Sequence, residues 1–317
     1  MATGAQTQLK QLIELRHSAG DLRLFARSKA LSQLAGDIKT QFRGRGLDFE
    51  EIRQYQPGDD IRAIDWRVTA RTGTAHTKLY QEERERPVLV AVDQRQSMAF
   101  GSRCCFKSVQ AAELASLLSW AALAQNDRIG GLVFNDSAHH DIRPARSKSA
   151  VLQLLSSINR FNTTASISST ANPDMINEAI IELRRIAKPG SAIFVISDFI
   201  GLNQEGIKQL HLLKKHCDIN ALFISDPMEQ HLPRGAGGVF GDAGSVFTDG
   251  IKRRTYNLAD PQLRQDFAAG FESRWQQLKQ QLGSHDIPVL AIGTDQDAGL
   301  LLRRYYQANR RRKRNRA

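Results

Sequence analysis

The chain has 317 residues, of which 41% are hydrophobic and 24% are charged. This composition is typical of a globular protein, and the length allows one large core or two modest ones. No run of eighteen apolar residues occurs, and the N-terminus lacks the basic-then-apolar order of a signal peptide. We therefore expect a cytoplasmic protein without a transmembrane segment. The three cysteines, Cys104, Cys105 and Cys217, form neither a disulfide framework nor a metal-binding pair, and we expect reduced thiols.

The basic charge is concentrated at the C-terminus. Residues 310–316, RRRKRNR, hold six basic residues and no acid, and removing them from the net charge of +11 leaves +5. Such a run cannot bury apolar surface, so it predicts a disordered extension with affinity for nucleic acid or an anionic membrane surface. A solvated tail without a partner is an equally open interpretation.

Residues 1–86 differ from the rest of the chain. We expect an N-terminal helical segment over residues 1–35. Residues 36–86 are polar and punctuated by glycine, which predicts a small β-rich unit of short strands and turns.

The densest polar pattern of that unit is RQYQPGDDIRAIDWRVTARTG, residues 53–73. Arginines alternate with acids, and aromatic residues lie between them. We interpret the pattern as a turn at Pro57 and Gly58 followed by a strand in which Arg and Asp pair, with Trp66 packed between this unit and the next domain. The alternative is a surface that recognises another protein. The motif residues are Arg53, Tyr55, Gly58, Asp59, Asp60, Arg62, Asp65, Trp66 and Arg71.

From residue 87 onward, short apolar runs alternate with longer helical segments. The predicted strands are 87–93, 127–135, 139–145, 191–199, 219–226 and 287–294, and the predicted helices are 106–125, 147–161, 172–187, 206–216 and 260–282. This order predicts an α/β fold with a doubly wound, mostly parallel sheet and one antiparallel edge strand. The Gly-rich insertion at 235–250 predicts a hairpin, and residues 297–317 a helix end with a basic tail.

Several predicted strands end in an acid or a hydroxyl. These residues are Asp93, with Ser97 just beyond it, and then Asp198, Asp226 and Thr294. Carboxylates and hydroxyls that meet at the carboxyl edge of a sheet are the ligands of an Mg²⁺ site. Helix N-capping by the same side chains is the alternative, and it stays open.

The sequence lacks the usual nucleotide and hydrolase motifs. It has neither a P-loop nor a dinucleotide-binding glycine pattern, and G-x-S-x-G is absent. Arg95 stands where an aspartyl-phosphate phosphatase would have its second acid. A metal-dependent hydrolase or phosphatase that uses Asp93 and Asp198 is an alternative without an evident nucleophile or general base.

The run FRGRGLDFEEIRQYQPGDDIRAIDWRVTARTG, followed by VDQRQSMAFGS and PGSAIFVISDF, resembles the bacterial domain of unknown function 58 (DUF58) family over about residues 30–295. The resemblance implies a von Willebrand factor type A-like domain, here 87–296, and an association with MoxR-type AAA+ ATPases. It also implies a metal-ion-dependent adhesion site at Asp93, Ser97 and Asp198, with Thr170 a weak choice for the threonine ligand.

Arg95 occupies the position of a serine ligand in that motif, and it introduces a cation. We expect its guanidinium to bridge Asp93 and Asp198 in place of an ion, so the site is degenerate. No cofactor is expected, and bound Mg²⁺ is the less favoured alternative. The leading hypothesis is a non-enzymatic interaction module that partners a MoxR-type ATPase and an unknown client protein.

Overall fold

The computed structural model describes residues 2–20, 22, 24, 47–59, 61–82, 86–165, 172–232, 245–248, 253–256 and 260–314. Two compact units divide the chain. The larger unit contains residues 1–25 and 86–317, and the smaller unit contains residues 26–85.

The helices and strands follow the predicted alternation from residue 87 onward. In chain order they are α1 (Leu9–Glu14), α2 (Arg16–Ala19), β1 (Leu47–Gln54), α3 (Trp66–Thr72), β2 (His76–Glu82), β3 (Pro87–Asp93), α4 (Lys107–Ala124), β4 (Arg128–Phe134), β5 (His139–Ala145), α5 (Lys148–Ala165), α6 (Met175–Ile186), β6 (Ala192–Ser197), α7 (Gln204–Lys214), β7 (Asp218–Ser225), α8 (Pro227–Gln230), β8 (Ser245–Thr248), β9 (Arg253–Tyr256), α9 (Pro261–Gly283), β10 (Val289–Gly293) and α10 (Ala298–Arg314).

The larger unit is built on a six-stranded sheet in the order β10-β7-β6-β3-β4-β5. All neighbouring strands are parallel except β4 and β5, so the predicted doubly wound sheet with one antiparallel edge strand is confirmed. The chain passes from β3 to β4 on one side and later returns to place β6 on the other side of β3. This switch point is where open α/β sheets bind ligands.

Helices cover both faces of the sheet. One core contains residues of α1, α4, α5 and α10, and the other contains residues of α6, α7 and α9. The N-terminal helix is tied to the first core, since Ser116 Oγ and Trp120 Nε1 both donate to the carbonyl of Leu12, at 2.6 and 3.2 Å. The α4 helix is buried on nearly every side, polar residues included. Its first residue, Lys107, therefore needs an internal partner.

The smaller unit has a two-stranded antiparallel sheet of β1 and β2. The strand predicted after the Pro57-Gly58 turn was wrong, because that segment forms a 3₁₀ turn at Ile61–Ala63 and then α3. Local signals explain the helix. The Asp65 side chain accepts hydrogen bonds from the backbone N–H groups of Arg67 and Val68, and Gly73 ends the helix at φ 74°.

Two further expectations needed correction. Trp66 is 67% exposed, so the expected packing of its ring is wrong; as the first residue of α3, it projects from the helix start. The expected disorder from residue 310 onward is also wrong for residues 310–314, because α10 continues to Arg314. Arginine and lysine have high helix propensity, which favours this extension of the helix.

In the Gly-rich insertion, β8 pairs antiparallel with β9, which begins at Arg253, after the predicted end of the insertion at residue 250. The pairing therefore lies farther along the chain than the predicted hairpin. The rest of the predicted insertion, 235–244 and 249–250, lies outside the described residues. In the described part of the chain, no helix combines the length and apolar character needed to cross a membrane.

Candidate functional site: a buried ion-pair network

Asp93 and Asp198 lie at the carboxyl edge of the sheet, on either side of the switch point. Asp93 ends β3, and Asp198 follows the last residue of β6. The pairing of Val92 with Ile196 aligns the two strand ends. Both acids are buried, and Asp93 has no exposed surface. Buried carboxylates at this depth need cations or several hydrogen-bond donors.

Arg95 supplies the first cation. Its Nε lies 3.1 Å from both carboxylate oxygens of Asp93, and its Nη2 lies 2.8 Å from Oδ2. The same Nη2 reaches Oδ1 of Asp198 at 3.5 Å. Only 1% of Arg95 is exposed. The guanidinium therefore bridges the two carboxylates, as the sequence predicted, with the closer contact to Asp93.

Lys107 supplies a second cation, which the sequence reasoning missed. Its ammonium lies 2.9 Å from Oδ2 of Asp198 and 2.7 Å from Oε1 of Glu229, and the residue has no exposed surface. The sequence did contain a signal that places Lys107 in the site. The helix that follows β3 must start at the same sheet edge as Asp93. A single lysine at the start of an Ala- and Leu-rich helix therefore lies beside that edge.

The hydroxyl that contacts Asp93 comes from Ser197, which the sequence analysis did not propose. Ser197 Oγ donates to Oδ2 of Asp93 at 2.7 Å and accepts the backbone N–H of Phe199 at 2.8 Å. Ser97, the expected ligand, has a buried hydroxyl without a hydrogen-bond partner among the described residues. Thr170 lies outside the described residues.

Burial and pairing set the protonation of this network. Burial raises the pKa of Asp198, but the charges of Lys107 and Arg95 outweigh it and hold that pKa below its ordinary value. For Asp93, burial is the largest influence and raises the pKa despite Arg95. Burial lowers the pKa of Lys107, but Asp198 and Glu229 more than offset this and leave it raised.

These residues do not fit the metal that the resemblance to type A domains implies. Both carboxylates already bind a cation of the protein, and Arg95 lies where a neutral ligand would be needed. A divalent ion about 5 Å from one such cation would be repelled by about 7 kcal/mol at an effective dielectric constant near 20. Within the described ranges, no cluster of three or more His, Cys, Asp or Glu side chains could hold a metal ion.

Arg95 also fastens two loops to the network. Its Nη1 donates to the backbone carbonyls of Pro173 and Ile200, at 3.1 and 3.0 Å. Between Asp198 and Ile200, Phe199 has a left-handed backbone with φ 54°, which is unfavourable for a bulky residue. Gly201 follows at φ 86°, and a Cβ there would lie 2.2 Å from the Pro173 carbonyl oxygen. Arg95 thus holds a strained loop at the sheet edge.

Asp226 is a helix N-cap, which was the alternative to metal binding for the acids at the strand ends. It caps α8, accepting the backbone N–H of Met228 at 2.8 Å, and it also accepts hydrogen bonds from the hydroxyls of Ser102 and Thr294. Glu229 completes a capping box with Asp226 and at the same time binds Lys107. Asp226 is therefore an N-cap that holds Glu229 in position.

The motif of the smaller unit forms local contacts. Arg53 Nη2 lies 2.7 Å from Oδ1 of Asp59, and Asp65 pairs with Lys78 at 3.2 Å. Tyr55 donates its backbone N–H to the Ala75 carbonyl at 2.8 Å.

The remaining motif residues lie at the turn or on the surface. Gly58 has φ 110° at the turn, and Asp60 lies outside the described residues. Arg62 lies in the 3₁₀ turn, and Arg71 lies exposed in α3 beyond Trp66.

Comparisons with known proteins give the family. An uncharacterized protein of Mycobacterium bovis and one of Mycobacterium tuberculosis are each 30% identical over 277 residues, covering 87% of this chain and 84% of theirs. The conserved hypothetical protein BatB of Bacteroides thetaiotaomicron has a TM-score of 0.36 at 18% identity, with coverage of 63% of this chain and 98% of that one. A D319A mutant of the PilB minor pilin of Streptococcus sanguinis has a TM-score of 0.34 at 10% identity, with coverage of 76% and 65%. These TM-scores are too low to carry an argument about function.

The family model described as protein of unknown function DUF58 matches residues 51–276, which is more than half of the chain. The chain therefore belongs to the DUF58 family.

Proposed function

We propose that this protein is a non-enzymatic interaction module of the cytoplasm that partners a MoxR-type AAA+ ATPase and acts on a client protein. The single observation that carries the proposal is the binding of Asp93 and Asp198 by Arg95 and Lys107. A carboxylate that is buried and paired with a fixed cation cannot serve as a general base or accept a metal ion without breaking that pair. Recognition of another protein makes no such demand on the site.

The smaller unit supports the same proposal. Ile61 and Trp66 are exposed large apolar residues, and Arg67 and Arg71 are exposed on α3. Tryptophan and arginine are enriched among the residues that contribute most to protein interfaces. This set, Ile61, Trp66, Arg67 and Arg71, is called the α3 surface below.

Capture of the partner tests the proposal. A tagged copy expressed in its native host should recover an AAA+ ATPase in the presence of a slowly hydrolysed ATP analogue, and less of it with ADP. An untagged strain processed in parallel measures background binding to the resin. Failure to recover any AAA+ ATPase in either nucleotide state would contradict the proposal.

A metal-dependent hydrolase or phosphatase is the rival from another class. It requires Asp93 and Asp198 to exchange their protein cations for a metal, and the geometry gives that exchange no support. Phosphate esters assayed with Mg²⁺ or Mn²⁺ test it directly. Turnover by the purified protein that disappears in Asp93→Ala would overturn the interaction-module proposal.

A further inference from the structure

A cavity of about 440 Å³ lies beside the ion-pair network in the larger unit. Its walls are the loop after β6, the start of α7, the end of β7 and one face of α9. The volume is in the range of sites that bind small ligands or single side chains. The cavity lies at the carboxyl edge of a parallel sheet, which is the usual location of binding sites in open α/β folds.

The interior of the cavity is aromatic. Trp275 stacks on Phe223 with ring centroids 4.9 Å apart, and Phe271 lies 6.3 Å from Phe223. Phe199 lines the same space from the strained loop that Arg95 holds. Ile200, at the next position, also lines it and leaves 44% of its surface exposed. Such walls favour a large apolar side chain.

The charged residues around the cavity leave one cation available to a partner's anion. Three charged residues line it, namely Asp198, Glu229 and Arg274. The two carboxylates already bind Lys107. Arg274 is exposed, and it makes no ion pair in the described part of the chain. The neighbouring positions on its helix face, 270, 271, 277 and 278, hold no acid. Arg274 is thus available for a partner's carboxylate.

The polar groups at the rim suit a polypeptide. Asn203, Gln204, Gln277 and Gln281 line the cavity, and their amides can bond to peptide groups. The Asn203 side-chain oxygen already accepts the backbone N–H of Gly206 at 3.0 Å, which leaves its NH₂ group as a donor. A single acyl chain would leave these amides without partners.

We propose that this cavity binds a segment of a partner polypeptide in which an aromatic or branched aliphatic side chain stands next to a carboxylate. The apolar side chain enters between Phe199, Phe223 and Trp275, and the carboxylate pairs with Arg274. The inference rests on the proposed function, since it names the peptide chemistry that the interaction module recognises.

The test uses the full-length protein and two matched peptides, acetyl-Leu-Phe-Asp-amide and acetyl-Leu-Phe-Asn-amide. The chain has three tryptophans, so three indole N–H signals report on Trp66, Trp120 and Trp275 in an NMR titration. The acidic peptide should shift the Trp275 signal and leave the buried Trp120 unchanged. The amide peptide should bind about tenfold more weakly, since it loses a charge-assisted hydrogen bond.

Variants on α9 sharpen the test. Arg274→Gln should remove the preference for the acidic peptide, whereas Lys279→Gln, an exposed cation on the same helix that does not line the cavity, should keep it. The inference is overturned if neither peptide shifts Trp275, if both bind equally, or if decanoate binds there more tightly than the acidic peptide. These titrations need no ATPase. A negative titration would therefore leave the result of the capture experiment unaffected, and a negative capture experiment would leave the titration result unaffected.

Discussion

Arg95 and Asp93 are two residues apart in sequence and form a doubly bonded pair within the sheet edge, with Nε and Nη2 both donating to the same carboxylate. The backbone N–H of Arg95 also donates to Oδ1 of Asp93 at 2.9 Å. The positions that resemble the metal-binding motif of type A domains therefore hold a cation of the protein here. Lys107 is the cation that binds the neighbouring Asp198. Variants of Arg95 and Lys107, described below, distinguish the contributions of these two cations.

Removal of Lys107 should destabilise the larger unit strongly. Lys107→Met leaves Asp198 and Glu229 without their shared cation, and the loss of one partner from a buried pair costs about 3 to 5 kcal/mol. Urea denaturation measures the change in the free energy of unfolding. Lys208→Met is the matched control, because Lys208 is largely exposed on α7 and should change stability by less than about 0.5 kcal/mol. Equal stability of the two variants would show that Asp198 does not depend on Lys107.

Metal binding should appear only when the protein's cations are removed. We expect no heat of Mg²⁺ or Mn²⁺ binding from the unmodified protein in calorimetry. Arg95→Ser restores the Asp-x-Ser-x-Ser pattern and should gain about millimolar affinity, and adding Lys107→Met should strengthen it by freeing Oδ2 of Asp198. Arg95→Ala is the control, since it should lose stability and gain less binding. Metal binding by the unmodified protein that is lost in Asp198→Ala would restore a working adhesion-type site.

The sequence predicted the part of this site that depends on local spacing. The pairing of Arg95 with Asp93 follows from their positions on one loop after a buried strand. The contact of Lys107 with Glu229 joins residues 122 positions apart and depends on the order of β3, β6 and β7, which the alternation of elements does not specify. Ser197 was missed because it lies inside the strand predicted at 191–199, where an apolar context predicts simple burial; in the structure it is the last residue of β6.

The helices and strands from residue 87 onward were also predictable from local spacing in the sequence. The spacing of apolar residues there distinguishes strands from helices, and the observed elements lie close to the predicted ranges. The smaller unit was harder, since α3 has only seven residues and no buried face, so that its helix depends on the cap at Asp65 rather than on periodicity.

The free energy of unfolding should depend on pH in the acidic range because of Asp226. Burial raises its pKa, but hydrogen bonds from Ser102 and Thr294 outweigh this and leave the pKa below the ordinary value. A carboxyl whose pKa is lower in the folded state stabilises the fold above its unfolded pKa, near 3.9, and this contribution is lost as the pH falls through the folded value. Asp226→Asn should therefore be less stable than the parent at pH 6, and the difference should shrink below about pH 3.9. Urea midpoints across this range measure it, and a constant difference would contradict the assignment.

The basic C-terminus should bind anionic surfaces if it has a partner of that kind. Deletion of residues 310–317 removes six of the positive charges, and binding to double-stranded DNA or phosphatidylserine vesicles should then fall sharply. The binding of the full chain should weaken steeply as salt is raised, because phosphate contacts release counterions. Fluorescence anisotropy and vesicle sedimentation measure the two cases. A deletion that changes neither would leave the basic run as a solvated surface.

Trp66 should matter for recognition rather than for stability. Because two thirds of its surface is exposed, Trp66→Ala should change the free energy of unfolding by less than about 0.5 kcal/mol. Trp120→Ala is the matched comparison, since Trp120 is buried and bonded to the Leu12 carbonyl, and its truncation should cost about 3 to 5 kcal/mol. In the capture experiment, Trp66→Ala should reduce recovery of the AAA+ ATPase severalfold, as expected for a central aromatic of an interface. A large loss of stability in Trp66→Ala would instead return this residue to a structural role, and unchanged recovery would exclude the α3 surface as the ATPase contact.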